Sequence, residues 1–206
     1  MSMVIRLIVK DIIFAKKWFV IGLGILIALF VNVFIEPENI VITHMMFYLF
    51  IGLILQRICY TEDSPEVKTF LKSLPVKISH IVLARYFILF ASVALLIVLV
   101  FLTIHMQGLP LGIRQNGINI IFAGFVALYY SVFMFLFYLN GFDATKYANT
   151  IFASLFFLVG FNVNRGVGLG GMEINISAQI IVIALFVIAC LIGLCVYGSI
   201  KVYGRR

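Results

Sequence analysis

Charge is scarce in this chain of 206 residues, where Asp, Glu, Lys and Arg together make up only 11% and the acids number eight. Soluble globular domains carry about 25% charged and about 45–50% apolar residues. Here the apolar share is 64% and the mean hydropathy +1.20, so a water-soluble fold of this length has too little polar surface to cover itself. Cysteine is also sparse and odd in number. Cys59, Cys190 and Cys195 show neither metal-ligand spacing nor a paired framework, and each reads as a small apolar filler. No G-x-x-x-x-G-K-[ST] phosphate loop, H-E-x-x-H run or Ser/His/Asp arrangement is present, which argues against an ATPase or hydrolase on this chain. One G-x-G-x-x-G match, at Gly166, Gly168 and Gly171, follows an apolar run rather than a strand, and reads as an external loop instead of a dinucleotide site.

Long apolar runs fill the space that charge leaves. A spanning helix needs about 20 mainly apolar residues, and six runs approach or meet this: about 18–35, 40–56, 86–106, 118–140, 147–163 and 178–200. Backbone groups in hydrocarbon must bond within their own segment, so these runs predict helices, and no alternating barrel pattern occurs. The run at 147–163 is the shortest. The expected fold is an all-α integral membrane protein with six transmembrane helices, forming one domain over residues 1–206.

Lys and Arg set the expected orientation. With six spans, thirteen of the fifteen fall on one side, and only Arg114 and Arg165 on the other. Both termini are then cytoplasmic. The formal charge of +7 is a topology signal, helped by anionic lipid, and not a nucleic-acid footprint. Before the first span, residues 3–17 place Arg6, Lys10 and Lys17 within about 40° of one another on a helix. This predicts an amphipathic elbow helix in the interface, the alternative being a cytoplasmic extension of the first span.

The cytoplasmic loop 57–85, between spans two and three, has its own grammar. Ser64-Pro65-Glu66 reads as a helix start, with a capping oxygen, Pro in the first turn and an acid at the positive end of the dipole. Val67, Phe70, Leu71 and Leu74 form one apolar stripe, and Pro75 ends the helix. Ser79 is positioned to cap the next one. The short helix has two readings: its stripe packs on lipid or under its own bundle, or it docks into a groove on a soluble partner. Glu62, Asp63 and Glu66 favour the partner, because an anionic leaflet repels them.

The acidic pair Glu62-Asp63, Leu74-Pro75, Ile81-Val82 and Arg85-Tyr86, set in this layout, resemble the membrane subunits of bacterial ABC-2 type transporters. The resemblance implies a permease in the bacterial cell membrane, with the elbow at Arg6, Lys10 and Lys17. It also implies a coupling helix near Ser64–Leu74 that docks a separate ABC ATP-binding subunit. Glu62, Asp63, Ser64, Glu66, Val67, Phe70, Leu71 and Leu74 would form that docking site, with ATP and Mg on the partner and no cofactor here. A second permease copy, identical or paralogous, completes the assembly. Family habit suggests export of peptides or other amphipathic compounds, and leaves lipid-linked glycans and small drugs open. Family members often carry a re-entrant segment before the last span, at residues 162–177 here.

No ionisable residue falls near the middle of a span, which disfavours the alternative of an ion-coupled transporter or channel. A non-transporting scaffold or immunity protein is the other alternative. Asn32, Asn119, Asn149, Thr150, Ser154 and Asn162 are candidates for hydrogen bonds between helices. His44 and His105 read as interfacial or packing residues.

Overall fold

A computed structural model describes residues 3–35, 40–73, 75–106, 113–151, 154 and 178–204. Among them there is no strand. The helices are α1 (Met3–Ile35), α2 (Ile40–Asp63), α3 (Pro65–Ser73), α4 (Ile78–Met106), α5 (Ile113–Asn140), α6 (residues 142–151) and α7 (Ala178–Tyr203). Among the described residues, Ile78–Leu102, Ile120–Asn140 and Gln179–Tyr203 are long and apolar enough to cross a membrane. α1 and α2 have 33 and 24 residues, which at about 1.5 Å per residue gives roughly 50 and 36 Å, beyond the ~30 Å hydrocarbon thickness.

The elbow expected at 3–17 is not a separate helix. α1 runs unbroken from Met3 to Ile35, because no glycine or proline interrupts residues 3–21 and the apolar positions continue through the charged turn. The charged end of α1 is therefore the continuation of the first apolar run. It packs inward through Leu7 and Asp11, both buried, while Lys16 and Lys17 are exposed. Most of the segment 147–163 and all of 162–177 lie outside the described residues, as do Arg165 and the glycine motif.

The core lies between α2, α4 and α5. α4 contributes Val82, Tyr86, Leu89, Val93, Leu96 and Val100, spaced alternately four and three residues apart, which keeps one face toward its neighbours. α2 supplies Ile51, Leu55 and Cys59, and α5 a face from Ala123 to Tyr138. α7 lies along α5 through Ile192, Val196 and Ile200, yet Ile183, Phe186, Val187, Leu194 and Tyr197 point away from the bundle. Such an outward apolar face is stable only in lipid or against another subunit.

Close approaches set the helix spacing. A Cβ at Gly22 of α1 would collide with the Phe50 ring of α2, and one at Gly52 with the Tyr130 hydroxyl of α5. Gly22→Leu is expected to force α1 away from α2 and to cost about 1–3 kcal/mol by overpacking. Unfolding in mixed micelles measures this, and Gly24→Leu, where nothing lies within 4 Å, serves as the neutral control.

Polar side chains join the helices at several levels. The Tyr86 hydroxyl of α4 lies 3.0 Å from both the Ser131 carbonyl oxygen of α5 and the Ser199 hydroxyl of α7. Asn149 of α6 donates to Gln56 Oε1 of α2 at 3.0 Å, so one expected interhelical amide is in place. Thr150 and Ser154 instead donate to carbonyls of their own helical turn. The side chains of Asn32, His44 and Asn119 lie outside those described, as does Asn162, and His105 is exposed.

Candidate functional site

The ionic residues of the bundle gather at one end, where α3 closes the turn between α2 and α4. The helix start reads as expected: the Ser64 hydroxyl accepts from the Val67 N–H at 3.4 Å, and Pro65 occupies the first turn. The helix ends at Ser73, two residues before Pro75, and Leu74 lies outside the described residues. α4 begins at Ile78, one residue ahead of Ser79, so Ser79 sits inside its first turn instead of capping it.

α3 turns part of its apolar stripe toward the protein. Leu71 is buried against Leu7 of α1 and Ile81 and Ala84 of α4, with Val67 and Val76 packed alongside. Phe70, on the same helix, is 52% exposed, and Glu66 is exposed beside it. The stripe thus has two jobs: Val67 and Leu71 seat the helix on its own bundle, and Phe70 projects from it.

Beneath α3 lies a buried ionic cluster. Arg85 of α4 is 1% exposed, and its Nε donates to Glu62 Oε2 of α2 at 3.1 Å. Its Nη1 approaches Asp11 Oδ2 of α1 to 2.8 Å, off the N–H axis, so that contact is Coulombic and not a well-aligned hydrogen bond. Lys10 flanks Asp11 at 3.2 Å from the more open side. Glu62 Oε1 accepts from the Tyr203 hydroxyl of α7 at 3.2 Å. One guanidinium therefore ties α1 and α2 to α4, and Glu62 extends the tie to α7. Desolvating such charges costs several kcal/mol per ion, offset only while every partner is in place. Cys59 of α2 is buried nearby with its thiol 3.5 Å from Met134 Sδ; burial, reinforced by Glu62, pushes its pKa well up, so it stays a neutral filler.

Asp63 makes the second tie. Its Oδ2 accepts from the Phe142 N–H at 3.1 Å, capping α6 from a different helix, and its Oδ1 lies 2.6 Å from Lys68 Nζ of α3. Gly141, at φ 87°, makes the sharp turn from α5 into α6 that presents this N–H. On α6, Lys146 and Asp143 pair at 2.9 Å, which raises the lysine's pKa.

Of the residues singled out from sequence, Glu62 and Leu71 are buried, Val67 is partly buried, and Asp63 is bonded to α3 and α6. Ser64 caps, and Glu66 and Phe70 face outward. The side chain of Arg6 lies outside those described. Arg85, Asp11 and Tyr203 were missed as an ionic group. One signal was available: Arg85 shares a helix face with Ile81, Ile88 and Leu89, at spacings of i−4, i+3 and i+4, so a charge stands in an apolar stripe. Among the described residues, no group of His, Cys, Asp and Glu has the arrangement to hold a metal ion.

Long apolar helices thus meet in an ionic junction at one end, with a short, half-seated amphipathic helix across it. The chain belongs to the ABC-2 transporter family: the family described as "ABC-2 family transporter protein" matches residues 6–204. It is a family of membrane permeases that generally work with an ATP-binding subunit. No curated protein and no solved structure matches the chain.

Proposed function

We propose that this chain is the permease subunit of an ATP-driven exporter in a bacterial cell membrane. It crosses the bilayer six times, with both termini cytoplasmic, and works with a separate ABC ATP-binding subunit and a second permease copy. ATP and Mg bind on the partner. The placement of α3 carries this reading. Its inner face is seated on α1 and α4 through Leu71, its Lys68 is tied to Asp63, and Phe70 projects with more than half of its surface free. Movement of α3 by a partner is delivered directly to α2, α4 and α6, since Asp63 bonds α6 and Glu62 bonds Arg85. The positive charge bias supports the orientation, and the cargo class in keeping with the family is a peptide or another amphipathic compound.

Phe70→Asp is the direct test. The wild-type chain, purified in mild detergent, is expected to bring a stoichiometric ATPase with it, identified by mass spectrometry and by hydrolysis. Phe70→Asp is expected to lose that ATPase while the permease melts as the wild type does, because a half-exposed side chain contributes little to the fold. A wild-type chain that emerges free of ATPase from several gentle detergents would instead favour a channel or scaffold.

A further inference from the structure

A groove of about 360 Å³ runs along the outer flank of the bundle where α5 and α7 lie side by side. On the inner flank α7 meets the core through Ile192, Val196 and Ile200. On the outer flank Val132 and Phe135 of α5 face Leu191, Leu194 and Gly198 of α7, and every residue that lines the groove is apolar. A Cβ at Gly198 would stand 2.8 Å from the Phe135 ring, so the missing side chain lets that ring lie against α7 and floor the groove. The walls are open. Leu194 is 65% exposed, Leu191 42% and Val132 38%, so an occupant reaches them without any helix moving.

The groove has a charged end. Leu191, Leu194, Gly198 and Lys201 stand at i, i+3, i+7 and i+10, on one face of α7, and Lys201 is turned only about 20° from Leu194 two turns away. Lys201 is exposed in the last turn, and no ion pair among the described residues involves it. The acids of this end are engaged elsewhere: Glu62 by Arg85 and Tyr203, Asp63 by Lys68 and the Phe142 N–H, and Asp143 by Lys146. At about 1.5 Å per residue, Leu191 to Lys201 covers roughly 15 Å, half of the ~30 Å hydrocarbon thickness. A lysine stem leans over the turn before it while its ammonium seeks the headgroups. The apolar length below Lys201 therefore matches the depth of one leaflet.

We infer that this groove holds one phospholipid with an anionic headgroup, its acyl chain laid between α5 and α7 and its phosphate paired with Lys201. The two parts of the site select the two parts of the ligand. An inorganic phosphate has nothing to place in the groove, and an apolar helix seated there would bury the lysine unpaired. A lipid phosphate answers that cation at the level of the headgroups, where charge attraction to anionic lipid acts. The inference rests on the orientation proposed above only for which leaflet supplies the lipid, the cytoplasmic one. It does not rest on the ATPase, because every group that defines the groove belongs to this chain.

The full-length chain, delipidated in mild detergent, is titrated with phosphatidylglycerol and with phosphatidylcholine of the same acyl chains, and native mass spectrometry resolves the adducts. One tightly held lipid per chain is expected, with phosphatidylglycerol preferred about threefold to tenfold. Lys201→Met is expected to erase that preference, while Lys17→Met, which removes an exposed cation of α1, leaves it. Val132→Trp fills the groove from its open wall and is expected to lose the lipid whatever its headgroup. Val182→Trp, on an exposed part of α7 outside the groove, is expected to retain it. Equal binding of the two lipids, a preference that survives Lys201→Met, or a lipid that survives Val132→Trp overturns the assignment. A lipid-free dimer that Val132→Trp dissociates overturns it too, and gives the groove to a second copy. No ATPase is present in this titration, so its outcome and that of the ATPase co-purification are independent.

Discussion

Arg85→Met is expected to cost about 3–5 kcal/mol of stability, among the largest effects of any single substitution in the bundle. The substituted chain keeps the length and apolar stem of the side chain. It strands Asp11 and Glu62, which are 5% and 3% exposed and face the vacated guanidinium from two different helices. Neutralising the acids along with the arginine, as Asp11→Asn, Glu62→Gln and Arg85→Met together, is expected to recover most of the loss, because no buried charge then lacks a counter-ion. Reversible unfolding in mixed micelles, read by helical circular dichroism, measures both. If Arg85→Met alone unfolds like the wild type, the cluster is not a structural tie.

Leu71→Asp is the second large effect, and its value lies in comparison with Phe70→Asp one residue away. Leu71 is 3% exposed, against Leu7, Ile81 and Ala84, so an aspartate there buries a carboxylate with no cation assigned to it and removes a packed side chain. The expected loss is about 2–5 kcal/mol, appearing first as opening of α3, with faster tryptic cleavage at Lys68 and Lys77. Phe70→Asp is expected to stay within about 0.5 kcal/mol of the wild type. Both substitutions are expected to abolish ATPase association, the first by displacing the helix and the second by altering the surface it presents. Loss of the ATPase with Leu71→Asp and its retention with Phe70→Asp would move the docking surface off the Phe70 face.

The limits of the short helix were legible because its signals are local. Ser64 acts through its hydroxyl on a backbone N–H three residues on, Pro65 and Pro75 act through their own backbone, and the structure begins α3 at Pro65 and ends it at Ser73. The long helices were legible through hydropathy for the same reason, since each run satisfies its own backbone. What composition did not reveal was pairing. Asp11 and Glu62 looked like two more cytoplasmic acids, and Arg85 like one of thirteen topological cations, because bringing residues 11, 62 and 85 together depends on how three helices cross. The fate of the α3 stripe was hidden in the same way. Spacing identifies a face, but whether Leu71 meets its own bundle or a partner is decided by where α1 and α4 lie. The continuity of α1 through Lys16 and Lys17 is the opposite case: charge suggested a boundary, and the backbone had no reason to break there.

The contacts made by the end of α7 bear on the order in which the chain matures as it leaves the ribosome. The first 85 residues already contain Asp11, Glu62 and Arg85, so the tie among α1, α2 and α4 is able to close while the rest is being synthesised. Tyr203 and Ser199 follow these residues in the chain, so Glu62 and Tyr86 gain these two partners only once α7 has been made. Until that moment the carboxylate of Glu62 and the phenol of Tyr86 each lack one of the partners that they hold in the finished bundle.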